Sequence, residues 1–403
     1  MLKSRHHRFS DEVSRCPGAS VFRRGMACVT LVAILTGIQA DEAAGQAKRG
    51  LTAASELARA YDAILDARFA DLPSVLAQTC GPAPKEACQL LEAVSLWWQI
   101  QLDPFNKSRD EVFQSRVEAA IAAAEAWTAR EPQRAETWFY LGGAYGARVQ
   151  WRVLRGARFA AARDGKRIED ALERAVALDP SMADAYFGIG LYHYYAAVAP
   201  AAARMLRWLL LLPGGDRAMG LEEMHRARSG GLLVRSEADY QLHVLYVWYE
   251  KQPVRALELL TRLIDRHPRN PHFRQAAAEI QDFYIDDTAA SLRTWQGLLD
   301  AARRRAVAES ELAEASARLG IASQLDQLSQ HEAALEHLRV VIAARPPAPF
   351  GAVPRAHLQL GETLDHLGRR VEAGAAYRAA IAAAGAGDPL GIAAKARTAL
   401  RSR

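Results

Sequence analysis

The most constraining stretch of the chain lies near its C-terminus, where His357, Leu360, Gly361, Leu364, Gly368, Ala373, Tyr377 and Ala380 recur at helical spacing. Small residues at Gly361, Ala373 and Ala380 let two antiparallel helices touch closely. Large ones at His357, Leu360, Leu364 and Tyr377 fill the wedge beside them. Composition points the same way: half of the residues are hydrophobic, alanine is abundant, and Val/Ile/Thr alternation is scarce. Close-packed helices are favoured over sheet. A chain of 403 residues is long for one compact core, but an array can add its core unit by unit.

The eight residues fall at offsets 4, 7, 8, 11, 15, 20, 24 and 27 of a 34-residue unit, and the unit at 354–387 resembles a tetratricopeptide repeat. Further units can be read backwards from prolines. Pro132 is followed six residues on by Trp138, then Leu141, Gly142 and Tyr145; Ala120 and Ala124 lie upstream. Pro180 is followed by Tyr186, Ile189 and Gly190; Pro268 follows Ala256, Leu260 and Leu263; Gly320, Ala333 and Pro346-Pro347 mark another unit. The resemblance implies an all-α, tetratricopeptide-like α-solenoid of about five to six helix pairs, closed by a capping helix over 389–402. Two units depart from the family spacing. Tyr145 to Ile168 is 14 residues too long, with Arg152, Arg155, Arg158, Arg163 and Lys166 in the excess. His193 to Gly220 is 18 too long and holds the leucine-rich stretch 201–212. Each excess predicts either two lengthened helices or one inserted helix.

Before the array, 51–70 carries Leu57, Tyr61, Leu65 and Phe69 on one helical face, and 72–79 and 86–101 read as two further helices. Arg23-Arg24 and the apolar run from Met26 to Ile38, with Ala40 before Asp41, read as a Sec-type export signal over 1–40. The run is too short to span a bilayer, so no transmembrane span is expected in the mature chain. The expected organisation is therefore 1–40 export signal, 41–105 N-terminal helical segment and 106–403 solenoid, in the periplasm or secreted. Residues 1–40 carry six basic and two acidic residues, a net of +4 against +5 for the whole chain, which leaves +1 for 41–403. No charge argument for nucleic acid survives. Cys16 and Cys28 lie in the export segment, leaving Cys80 and Cys88 around Gly81-Pro82-Ala83-Pro84. In an oxidising compartment this pair reads as a disulfide, the alternatives being half of a metal site or two free thiols.

Catalytic constellations are missing: there is no HExxH, no GxSxG, and the sequence Pro213 to Gly220 lacks the Lys-Ser/Thr of a phosphate loop. Gly214-Gly215 reads instead as a helix end and Asp216 as an N-cap; Asp287 reads as a cap before Thr288. Histidines 193, 225, 243, 267, 272, 331, 337, 357 and 366 are scattered along helices and read as surface or packing residues. No enzyme activity, cofactor or metal is expected. In the tetratricopeptide family, offsets 2, 5, 9, 12 and 13 line a concave groove. The resemblance carries these to Phe139; Asp184, Phe187, Tyr194 and Tyr195; Gln241, Leu245, Trp248 and Tyr249; and Arg355, Leu358, Glu362, Asp365 and His366. It implies a protein or peptide partner held by Phe139, Phe187, Tyr194, Tyr195, Trp248, Tyr249, Arg355 and Glu362. The alternatives are an aromatic face filled by the second excess, or a small-ligand or lipid carrier with 201–212 lining an apolar pocket.

Overall fold

The computed structural model describes residues 50–198, 214–385 and 388–402. The export segment expected over 1–40 and the leucine-rich stretch 201–212 lie outside the described residues. Seventeen α-helices and one 3-10 turn occur among the described residues, with no strand. In chain order they are α1 (Ala54–Leu65), α2 (Leu72–Thr79), α3 (Lys85–Leu102), α4 (Asp110–Arg130), α5 (Ala135–Leu154), α6 (Arg158–Leu178), α7 (Tyr186–Val198), α8 (Arg217–Gly230) and α9 (Arg235–Trp248). Then follow α10 (Pro253–Arg266), α11 (Pro271–Phe283), α12 (Thr288–Arg303), α13 (Ser310–Gln327), α14 (His331–Ala344), α15 (Ala352–His366), α16 (Arg370–Ala384) and α17 (Ile392–Arg401). Among the described residues none is long and apolar enough to cross a membrane.

The helices pack as consecutive pairs, α3 with α4 through α15 with α16, and α17 covers the last pair. This is the all-α helical-repeat array expected from the spacing. Seven such pairs occur among the described residues. Pair α11–α12 carries no recognisable repeat signature: Arg274, Ala277 and Gln281 stand where bulky residues were expected after Pro268. The small residues act as expected. A Cβ on Gly361 would lie 2.5 Å from the Tyr377 ring, and one on Gly142 2.6 Å from the Leu172 side chain. Asp216 and Asp287 cap α8 and α12, accepting from the backbone N–H of Met219 and Ala290.

The first excess lengthens both helices of its pair: α5 has 20 residues and α6 has 21, joined at Gly156 with φ 78°. Of its cations, Arg152, Arg155 and Lys166 pair within the fold, while Arg158 and Arg163 are exposed. Arg148 forks onto Asp164 at 2.9 and 2.7 Å, and Arg152 reaches Asp164 at 2.6 Å. Arg155 forks onto Asp110 at 2.7 Å through both of its bonds. Asp164 is fully buried, so its charge is tolerable only with the bidentate Arg148 and the single bond from Arg152 in place. The sulfurs of Cys80 and Cys88 lie 2.03 Å apart at the turn between α2 and α3.

Residues 50–66 take a path that no repeat pattern encodes. Gly50 N–H donates to Asp179 at the C-cap of α6, and Thr52 N–H to Glu136 at the start of α5. Tyr61 Oη donates to Glu237 in the first turn of α9 at 3.0 Å. Asn270 Nδ2 donates to the Leu65 carbonyl, and Arg269 N–H to the Asp66 carboxylate, at the start of α11. The segment thus reaches the N-terminal ends of α5, α9 and α11 and the α6–α7 connection. Leu57, Ala60, Ile64 and Leu65 join the core that these helices form with Trp98, Tyr240 and Phe273.

Candidate functional site

First helices of successive pairs run in the same sense, so their N-terminal ends share one edge of the array and their C-terminal ends the other. At the N-terminal ends of α5, α9 and α11 this edge is covered by residues 50–66. Glu136 and Glu237, 1% and 3% exposed, sit in first turns where the helix dipole favours a carboxylate. They accept from Thr52 and Tyr61 respectively.

This arrangement decides the place of each residue expected in the groove. Phe139 is buried with its ring edge-on to Tyr140 at 5.2 Å. Asp184 is spent on backbone, its carboxylate accepting from the N–H groups of Leu232, Leu233 and Val234 at 2.8–3.0 Å. Leu245 is fully buried, Phe187 is half-buried, and Gln241 bonds Gln150 at 3.2 Å. Arg355 is half-buried on α15, and Glu362 is exposed two turns further along the same face of that helix. Of the expected residues, Phe139, Asp184 and Leu245 are thus buried within the fold.

The C-terminal edge is different. Tyr195 near the end of α7 is 37% exposed, and Trp248 and Tyr249 at the end of α9 are 64% and 42% exposed. Tyr194, Tyr195 and Tyr249 meet edge-on, with centroids 5.7–5.9 Å apart. Tyr194 is fully buried beneath them and donates its hydroxyl to Glu250. Burial, and then that hydrogen bond, push its phenol above the ordinary range. Arg217 Nε donates to the same carboxylate at 2.7 Å, and this pairing is the main cause holding Glu250 below its usual range. A buried phenol and an ion pair thus fix the footing of an exposed aromatic cluster. The next first helix continues it with Phe283 and Tyr284, 74% and 45% exposed at the end of α11. The sequence reading missed that pair, although they stand at the same helix end as Trp248 and Tyr249.

Two clefts of about 230 Å³ each are found elsewhere: one is lined by Arg228, Arg235, Asp239, Arg262 and Arg266, the other by Pro346, Pro349, Phe350, Pro354 and Leu390. Neither includes the aromatic cluster. Among the described residues this edge presents exposed apolar rings beside the Arg217–Glu250 ion pair.

No protein-family model matches the chain, and no curated protein matches it in sequence. Solved structures similar to it include a Rap protein complexed with competence and sporulation factor, at 14% identity and TM-score 0.42, covering 87% of each chain. NprR in complex with its cognate peptide NprX shows 10% identity and TM-score 0.39, over 87% of this chain and 83% of that one. Yeast Tom70 shows 11% identity and TM-score 0.39, over 87% and 82%. At these levels the likeness adds nothing to the helix pairing described above, and the architecture rests on that pairing.

Proposed function

We propose that this protein is a non-enzymatic interaction scaffold of the cell envelope, taking a protein or peptide partner along the edge where its first helices end. The observation that carries this reading is the run of solvent-exposed aromatics at successive helix ends, Tyr195, Trp248, Tyr249, Phe283 and Tyr284. Monomeric surfaces rarely gather such rings without a partner, and Trp and Tyr are enriched where binding energy concentrates. Their footing is rigid, so little ordering entropy is lost on docking. The opposite edge is already occupied by residues 50–66. Sec-type export of 1–40 and a Cys80–Cys88 disulfide complete the proposal and agree with each other, since both belong to an oxidising compartment.

The test compares residues 41–403 with a Trp248→Ala/Tyr249→Ala variant and a Phe283→Ala variant, all shown folded by circular dichroism, as baits for cross-linking in envelope extract. One partner, identified by mass, should be captured by the wild type and reduced at least about tenfold by the double variant, the loss expected for hot-spot rings. Equal capture of that partner by all three proteins would remove the aromatic edge as its docking site.

A further inference from the structure

Beyond the aromatic cluster the same edge changes character. Asp326 lies in the last turn of α13, His331 opens α14, and His366 ends α15. These three elements bring two imidazoles and a carboxylate together. His331 Nδ1 lies 2.8 Å from Asp326 Oδ1, and His366 Nδ1 lies 2.9 Å from Asp326 Oδ2. The two rings are 5.2 Å apart between centroids, and the three ligand atoms all lie within 4.8 Å of one another. Among the described residues neither lysine nor arginine pairs with Asp326, whose ion-pair partners are the two histidines. Asp326 and His331 are four-fifths covered, with side chains 18% and 20% exposed, while His366 at 55% keeps one side open to solvent.

This donor set is one that can hold a metal ion. A tetrahedral ion with bonds of about 2.0–2.1 Å spaces its ligand atoms about 3.3 Å apart. The observed separations of 2.8 and 2.9 Å run to the two different oxygens of Asp326, and all three ligand atoms lie within 4.8 Å of one another, so a turn of the carboxylate and loss of the two Nδ1 protons would let the set close on an ion. Imidazole with carboxylate suits zinc among the common divalent ions. Glu362 stands one turn before His366 on α15, on the same helical face, and offers a second carboxylate. A second group, Glu169, Glu173 and His193, also gathers possible ligand atoms. There the Lys166 ammonium already lies 3.2 Å from Glu169, and Glu223 engages His193 Nδ1 at 2.7 Å, so its charges are largely met.

We propose that Asp326, His331 and His366 bind one zinc-type divalent ion, with water or Glu362 completing four-coordination, so that the ion clips α13, α14 and α15 together at their shared edge. Three protein ligands and an open position would leave the ion accessible from solvent.

The experiment is a zinc titration of the full chain against a chromophoric chelator, repeated with a His331→Gln/His366→Gln variant and with Asp326→Asn. The wild type should take up one equivalent that the double variant binds at least about 100-fold more weakly, since two of three ligands are gone. Indistinguishable isotherms would overturn the proposal, because zinc held elsewhere on the chain is unaffected by these substitutions. A second measurement needs no variant: anomalous diffraction at the zinc edge from soaked wild-type crystals. A peak between Asp326, His331 and His366 supports the site. Zinc found only at other positions refutes it.

Discussion

At the scale of single residues, the buried polar groups explain how the array tolerates its charges. Asp184 is a case without a cation: three backbone N–H groups before α9 converge on its carboxylate, a charge-assisted arrangement stronger than neutral hydrogen bonds. His267 is the complementary case. It is 1% exposed at the end of α10, with Nε2 2.9 Å from Ser236 Oγ. Burial first, and then the Arg266 charge, lower its pKa to about 4 from 6.5. A depressed imidazole pKa means that the unfolded chain binds the proton more readily, so the associated stability is present above pH 6.5 and is lost as pH falls toward 4. Over that window one such group is worth about 3 kcal/mol. Urea unfolding of the wild type and of His267→Gln at pH 7.0 and 4.5 should show a loss on acidification that is about 2–3 kcal/mol smaller in the variant. Parallel losses would mean that His267 does not carry this proton.

At the scale of elements, much of the helical pattern was legible and its register was good. The unit expected at 354–387 is α15–α16, the capping helix expected at 389–402 is α17, and the stretches 72–79 and 86–101 are α2 and α3 within a residue. These succeed because 3.6-residue periodicity and paired small residues are local facts. Pair α11–α12 was missed because alanine and arginine hold its wedge positions. The site was less legible. Offsets identify a face, but they cannot say that residues 50–66 have come back to cover one edge of it, since the stripe Leu57, Tyr61, Leu65 would suit any docking surface. Where two helices meet backbone to backbone, the consequence is testable. A Cβ on Gly190 of α7 would lie 2.7 Å from the Gly220 carbonyl oxygen of α8 and 2.9 Å from the Met224 nitrogen. Main chain cannot swing aside, whereas the Tyr377 ring facing Gly361 at 2.5 Å can tilt. Gly190→Ala should therefore cost about 3 kcal/mol, and Gly361→Ala about 1–2 kcal/mol after the helix-propensity gain common to both. Denaturant midpoints that rank the two the other way would sink this account of the α7–α8 contact.

At the scale of the whole molecule, a plain repeat array gains stability from nearest neighbours and can open one pair at a time. The segment 50–66 breaks that rule at one end. Its side chains belong to a single apolar cluster running from Leu57 to Ile280, whereas later pairs fall into two smaller clusters, from Ala278 to Ala356 and from Leu335 to Ala396. First helices α5, α9 and α11 share one strap, so loosening the strap loosens all of them at once. Ile64 is fully buried in it, and Ile64→Ala should cost about 2–5 kcal/mol as a truncation in a packed core. Hydrogen exchange followed by mass spectrometry would show where that cost is felt. Amides throughout α1–α11 should exchange faster together, although α9–α11 lie about two hundred residues along the chain from the substitution. Amides of α13–α17 should keep their wild-type rates, because no side chain of the strap joins their clusters. Acceleration confined to α1–α3 would show that the strap is only a local contact, and equal acceleration through α17 would show one cooperative unit in place of a strapped half and an independent tail.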